Sequence, residues 1–268
     1  VTTPTDEPAL IAAAVAGGGD ALDALIARYQ DRVYRFGRRL CGDPEAARDV
    51  TQETLATMAG QLASFRGDAS LSSWLFAIAR SHCHKQRRRR AGAPPPGGTV
   101  DLDDALDLVD PGRDPAATAA GRELSRALEK ALAGLEDNQR EVVLLRDVEG
   151  LSAAEVAATL GLSVMAVKSR LHRGRVALRD ALAAVLEPPA PAADGCPDIA
   201  ELWSRRAEGE VAALDCAAME RHLEACPRCR GTCAALRQTL ALCQATPAPV
   251  PPDVQAAVRA AVRALASR

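Results

Sequence analysis

The sequence predicts an all-α protein: two small helical domains followed by a small helical domain rich in cysteine and histidine. Three observations point there. Apolar residues recur at helical spacing, as in Leu22, Leu25, Ile26, Tyr29, Val33 and Phe36. Strand-type runs of Val, Ile, Thr and aromatics are absent, aromatic residues are only 3% of the chain, and Ala dominates. Two Pro-rich breaks, AGAPPPGG at 91–98 and PPAPAADG at 188–195, cut the chain into helical blocks. A length of 268 residues sets a prior of about two domains. The expected boundaries are a tail over 1–19, a first domain over 20–90 and a Pro-rich acidic linker over 91–115. A second domain over 116–187, a linker over 188–195, a cysteine-rich domain over 196–245 and a tail over 246–268 complete them.

Gly17-Gly18-Gly19 ends any early helix, and Asp20 is expected to cap ALDALIARYQDRVYRFGRRL. Arg28, Arg32, Arg35, Arg38 and Arg39 lie mostly outside its apolar stripe. Asp43-Pro44 restarts the chain as an Asp N-cap with Pro at the first helical position. The next helix turns Val50, Leu55 and Met58 inward and places Asp49, Gln52 and Glu53 on a polar face. FRGDAS is a loop, and a helix from Ser70 carries Leu71, Trp74, Leu75 and Ile78 into the basic run 80–90. His82, Cys83 and His84 are neighbours on that helix and point in different directions, so they are not read as a metal site. Cys41 and Cys83 are read as buried or incidental thiols.

The second domain brings Leu124, Leu128, Leu132 and Leu135 at helical spacing, then a helix over 137–148. Ser152 with Glu155 forms a capping box, in which each side chain satisfies an orphan helix N–H. Gly161 supplies a tight turn, and Ser163 caps a second helix with Val167, Leu171 and Leu178 inward. This is a helix-turn-helix whose second helix exposes Lys168, Arg170, His172, Arg173, Arg175 and Arg179. Its first residues, 164–170, are those that meet base edges in such motifs.

Net charge is −2, unlike a typical DNA binder, but the charge is segregated. Residues 80–90 hold six Lys/Arg and no acid, whereas 101–114 hold six Asp and one Arg. No apolar run of about 18 residues predicts a membrane span, and VTTPTDEPAL is not a secretory signal, so a cytoplasmic protein with no membrane partner is expected. No phosphate loop, triad or paired carboxylates suggest an enzyme.

Four stretches carry a family resemblance. DVTQETL (49–55), FRGDASLSSWLFAIAR (65–80), LEDNQREVVLLRDVEGLS (135–152) and GLSVMAVKSRLHRGR (161–175) resemble, in order and spacing, the motifs of extracytoplasmic-function sigma factors of bacterial RNA polymerase. The resemblance implies region 2 over 20–90 and region 4 over 116–187. It implies as partners core RNA polymerase, through its β′ clamp and β flap, and promoter DNA. It assigns core-polymerase binding to Arg28, Arg32, Arg35, Asp49, Gln52 and Glu53. The loop 65–73 would hold a flipped base of the −10 element. Trp74, Arg80, Lys85, Arg87 and Arg88 would line the −10 strand. The helix bearing Val164, Met165, Lys168, Ser169, Arg170, Arg173 and Arg175 would read the −35 element, its cations making mainly phosphate contacts. Ser81 and Lys85 depart from the family pattern in the −10 helix, so promoter preference does not carry over.

Six of the eight cysteines lie between Cys196 and Cys243. In a reducing compartment such clustering points to metal. His222-x3-Cys226-x2-Cys229 with Cys196 makes a Cys3His set suited to tetrahedral zinc. It resembles the zinc-binding anti-sigma fold. Cys216, Cys233 and Cys243 exceed one set. Cys243 is fourteen residues past Cys229, about 21 Å on an unbroken helix, so either the helix breaks or Cys243 meets Cys216 or Cys233. All seven are candidate ligands for zinc, copper or cadmium. The whole tail resembles that of CorE-like sigma factors, which implies direct metal sensing with no separate anti-sigma protein. A purely structural zinc and a thiol redox sensor are the alternatives. Val254 to Leu265 reads as a weak amphipathic helix that either docks on the cysteine domain or is a terminal tail.

Overall fold

The computed structural model describes residues 6–91, 115–183, 196–210, 213–245 and 250–266. These residues are helical with short turns, and no strand occurs among them. They form two compact units. The first joins 6–91 to the C-terminal segment 250–266, and the second holds 115–245.

In the first unit, α1 (Glu7–Val15) precedes α2 (Gly19–Cys41), α3 (Pro44–Gln61) and α4 (Leu71–Ala91). The early helix α1 stops at Val15, just before the three glycines expected to end it. Gly18, not Asp20, is the N-cap of α2, and Asp20 lies in its first turn. The Asp43 carboxylate accepts from the Glu45 and Ala46 N–H groups, with Pro44 behind it, which starts α3 as its sequence dictates. Ser70 caps α4 by accepting from Ser73 N at 3.2 Å. The core is Leu25, Val33, Phe36, Val50, Leu55, Met58, Leu75 and Phe76, all at most 1% exposed. Phe36 and Phe76 stack at 5.1 Å between centroids. The Tyr29 hydroxyl donates to Glu7 Oε2 at 2.6 Å and fastens α1 to α2; burial, with that carboxylate, pushes its pKa up to about 12. Cys41 and Cys83 are not incidental thiols: they form a disulfide joining the end of α2 to α4, with Cα atoms 5.4 Å apart.

The C-terminal segment is neither a free tail nor part of the cysteine domain. Helix α12 (Pro252–Ala266) packs against α3. Val250, Val254, Val258 and Val262 recur every four residues and are 2, 3, 0 and 7% exposed, one buried stripe. The Val250 N–H donates to Asp31 at 2.9 Å, and Arg48 faces Asp253 at 3.7 Å.

The second unit starts with α5 (Pro115–Gly134) and α6 (Asp137–Val143), which runs into one π-helical turn, Leu144–Val148, rather than the single α-helix expected. Arg140 reaches back to the carbonyls of Leu132 and Leu135, satisfying acceptors left open at the end of α5. Helices α7 (Ala153–Leu160) and α8 (Val164–Leu182) form the helix-turn-helix. The capping box is complete: Glu155 N to Ser152 Oγ at 3.2 Å, Ser152 N to Glu155 Oε2 at 2.8 Å. Gly161 takes the left-handed conformation, φ 65°, that the turn requires. Ser163 accepts from Ala166 N to start α8. Leu128, Leu132, Val142, Val143, Val156, Val167, Leu171 and Leu178 are fully buried beneath.

The same unit continues with α9 (Ile199–Ala207), α10 (Ala213–Ala225) and α11 (Pro227–Ala245). Asp198 caps α9 by accepting from Glu201 N. Ile199, Met219, Cys229 and Cys233 make its small core, with Leu202, Trp203 and Leu223 against them. Helices α9 and α11 both pack against α8.

Two substitutions check these packings. Ser152→Ala is expected to destabilise the second unit by about 1 kcal/mol in chemical denaturation. Val258→Asp places a charge at a fully buried position, so amide exchange over 252–266 should lose protection while the α2–α4 core keeps it.

Candidate metal centre and nucleic-acid interface

The end of α10 and the start of α11 build the first site. His222 and Cys226 are one helical turn apart, and Cys226 N bonds to His222 O at 2.8 Å. Pro227 then opens α11 and turns Cys229 back toward them. Cys196 enters from the segment before α9. The four ligand atoms lie within 4.8 Å of one another. Cys196 Sγ and Cys226 Sγ are 3.8 Å apart, and His222 Nε2 and Cys229 Sγ 3.1 Å apart. A tetrahedral zinc with Zn–S near 2.3 Å needs sulfur–sulfur edges of about 3.8 Å, so this donor set fits such an ion. Backbone N–H groups of Cys229 and Arg228 lower the Cys226 pKa, with Cys229 the stronger. Burial, then the neighbouring Cys196 and Cys226 sulfurs, pushes the Cys229 thiol up to about 12.

Cys216, Cys233 and Cys243, also candidate ligands, are not in this group. Helix α11 is unbroken from Pro227 to Ala245, which carries Cys243 about 21 Å along its axis from Cys229. Cys233 shares a face with Cys229 but is buried in the apolar core, and burial raises its pKa.

The second site is α8. Val164 and Met165 are 38% and 73% exposed at its N-terminal end, the end that helix-turn-helix motifs in general turn toward base edges. Ser169 and Arg173 are exposed and Arg170 half-buried. Lys168 is paired with Glu210. Arg175, expected to touch phosphate, is 2% exposed. Its Nε and Nη2 fork onto Asp147 at 2.9 and 2.6 Å, its Nη2 also reaches Glu208 at 2.9 Å, and its Nη1 donates to Ser204 Oγ at 2.8 Å. Burial opposes the Arg175 charge, but the Asp147 and Glu208 carboxylates outweigh it and raise its pKa. Burial pushes Asp147 up, and the Arg175 guanidinium draws it back. Sequence reasoning missed this because the partners lie 28 and 33 residues away.

In the first unit, Arg80, Ser81, His84 and Arg88 line one open, cationic groove on α4. Lys85 is exposed, Arg87 half-buried, and Trp74 half-buried with its ring 5.5 Å from that of Phe65. Arg28 faces Glu7 at 3.5 Å; Arg32 donates to Ser72 and lies over the Tyr29 and Phe76 rings; Arg35 is half-buried. Asp49 accepts from Gln86 at 3.3 Å, Glu53 meets His82 at 2.6 Å, and Gln52 is half-buried between them in sequence.

Two helical bodies, one with a cationic groove and one with a helix-turn-helix, together with a Cys3His finger, define a transcription factor class. The comparisons agree. The family model for Sigma-70 region 2 matches residues 25–92, that for Sigma-70 region 4 matches 125–178, and a zinc-finger model matches 196–230. The chain is 35% identical over 184 residues to the ECF RNA polymerase sigma factor SigE of Mycolicibacterium smegmatis, covering 67% of this chain and 70% of that one. It is 36% identical over 169 residues to SigM of Mycobacterium tuberculosis, covering 63% and 81%. Among solved structures it is similar to CnrH in complex with the cytosolic domain of CnrY, at 29% identity, TM-score 0.48, 65% of this chain and 96% of that one. It is also similar to the sigma factor RpoE in complex with the anti-sigma factor NepR from Bartonella quintana, at 24% identity, TM-score 0.45, 60% and 95%.

The chain belongs to the extracytoplasmic-function RNA polymerase sigma factors. These are transcription initiation factors and not enzymes. The expectation that no separate anti-sigma protein is required finds no support in these comparisons. No helix among the described residues is long and apolar enough to cross a membrane.

Zinc titration of the thiol-reduced chain should reach one ion per Cys3His set. Cys226→Ser or His222→Ala should weaken binding by more than about tenfold, whereas Cys216→Ser should leave it unchanged. Competition with a chromophoric chelator checks this.

Proposed function

We propose that this sigma factor directs core RNA polymerase to its promoters and is regulated by a metal ion bound to its own C-terminal finger. Asp49, Gln52 and Glu53 with Arg28, Arg32 and Arg35 engage polymerase. The α4 groove with Trp74, Arg80, Lys85, Arg87 and Arg88 takes the −10 strand, and the exposed end of α8 takes the −35 element. The observation that carries the regulatory reading is the convergence of Cys196, His222, Cys226 and Cys229 in the unit that also holds α8. When bound, the ion would be held by these three sulfurs and the imidazole, cross-linking the segment before α9 to the α10–α11 junction. Zinc, copper and cadmium all suit a thiolate-rich set.

The energetics are feasible. A tethered inhibitory domain acts at high effective concentration, so modest contact energy holds it in place. Moving such an equilibrium from 1:99 to 99:1 takes about 5.5 kcal/mol of differential binding, within the reach of thiolate ligation. A structural zinc is the second reading, favoured by a donor set already complete at four.

Run-off transcription with core polymerase, titrated with zinc, copper or cadmium, tests both. The regulatory reading expects output to change with metal dose in the wild type and to lose that dependence in Cys226→Ser/Cys229→Ser. A wild-type output flat across all doses leaves the structural reading.

A further inference from the structure

Helix α9 ends in a turn that Gly209 makes possible. Gly209 has φ 73°, its N–H bonds to Arg206 O at 3.0 Å, and the Glu210 N–H bonds to Arg205 O at 2.9 Å. This is the paired-bond helix stop that requires a left-handed residue. It projects the Glu208 and Glu210 side chains onto region 4. Glu208, 4% exposed at its side chain, accepts from Arg146 Nε at 3.2 and 3.0 Å and from Arg175 Nη2 at 2.9 Å. Glu210 accepts from Lys168. The Trp203 ring, one helical turn before, packs 5.8 Å from the Arg175 guanidinium.

Three cations of region 4 are thus engaged by two carboxylates from outside it. Asp147, within region 4, makes its hydrogen bonds to Arg175. Lys168 lies on α8 one turn beyond its exposed N-terminal end, where a DNA backbone would run. The anion these side chains suit otherwise is phosphate.

We propose that the Glu208-Gly209-Glu210 turn is a phosphate mimic: it holds Arg146, Lys168 and Arg175 in place of duplex DNA, so that finger and DNA exclude one another on α8. This deepens the regulatory reading above and rests on α8 being the surface that meets DNA. The turn is linked to the metal set through α9, whose Ile199 and Trp203 share a core with Cys196, Cys226 and Cys229.

The test is fluorescence anisotropy of the full-length, zinc-loaded chain with a labelled mixed-sequence duplex across a salt series. Glu210→Gln is expected to bind about threefold tighter than wild type, and Glu208→Gln/Glu210→Gln about tenfold, with a log–log salt slope steeper by about two because freed cations reach phosphate. Glu220→Gln removes a more exposed finger carboxylate, one that pairs with Arg206 at 3.0 Å rather than with region 4, and should bind as the wild type does. Coincident curves for wild type and both turn variants, bound or unbound, overturn the proposal. So does an equal gain in Glu220→Gln, which would reflect net charge alone. A chain that still initiates transcription with metal dependence while these curves coincide keeps its function and loses the mimic.

Discussion

The buried guanidinium of Arg175 is the interaction on which the second unit depends. A charge this enclosed persists only where carboxylates and hydroxyls surround it. Asp147 supplies a two-pronged partner from the π-helical turn, and Ser204 on α9 and Glu208 just past its end supply the rest. The helix-turn-helix and the finger are therefore joined by a polar knot rather than by an apolar seam alone. A polar knot has a property an apolar seam lacks: removing one member leaves the others uncompensated, so the contact is held together or released as a set.

That knot also connects the two candidate sites. Cys196 stands just before α9, and Glu208 caps its far end. Nine residues of helix lie between a metal ligand and the cations of region 4. A helix this short moves as a rod, so the orientation of its first turn governs the placement of its last. The finger core is small, built from Ile199, Met219, Cys229 and Cys233, and two of those four are cysteines. Small cores lean on metal cross-links for definition.

Local chemistry was legible in the sequence. Ser152 with Glu155, Gly161, Ser163 and Asp43-Pro44 each form the cap or turn their residue types dictate, because these contacts span only a few residues. The spacing of His222, Cys226 and Cys229 likewise foretold a shared corner, with Pro227 as the pivot. What escaped was contact across long separations. Arginine at a helical position reads as solvated unless its partner is known, and those of Arg175 lie on two other elements. Cys41 and Cys83 are 42 residues apart and carry no spacing signal. The valine stripe of α12 announced an amphipathic helix but not the surface it would cover. Asp20 shows a milder failure: a residue favoured as a cap sits two residues inside, in the first turn, because a glycine took the role.

The placement of α12 has an outcome for synthesis. Its binding surface on α3 is made early, and the helix that fills it emerges only after every residue of the second unit. On the ribosome, the N-terminal bundle must wait with an apolar trough uncovered. Premature termination anywhere in the second unit would yield a sigma region 2 lacking its lid, a stray fragment with a sticky flank.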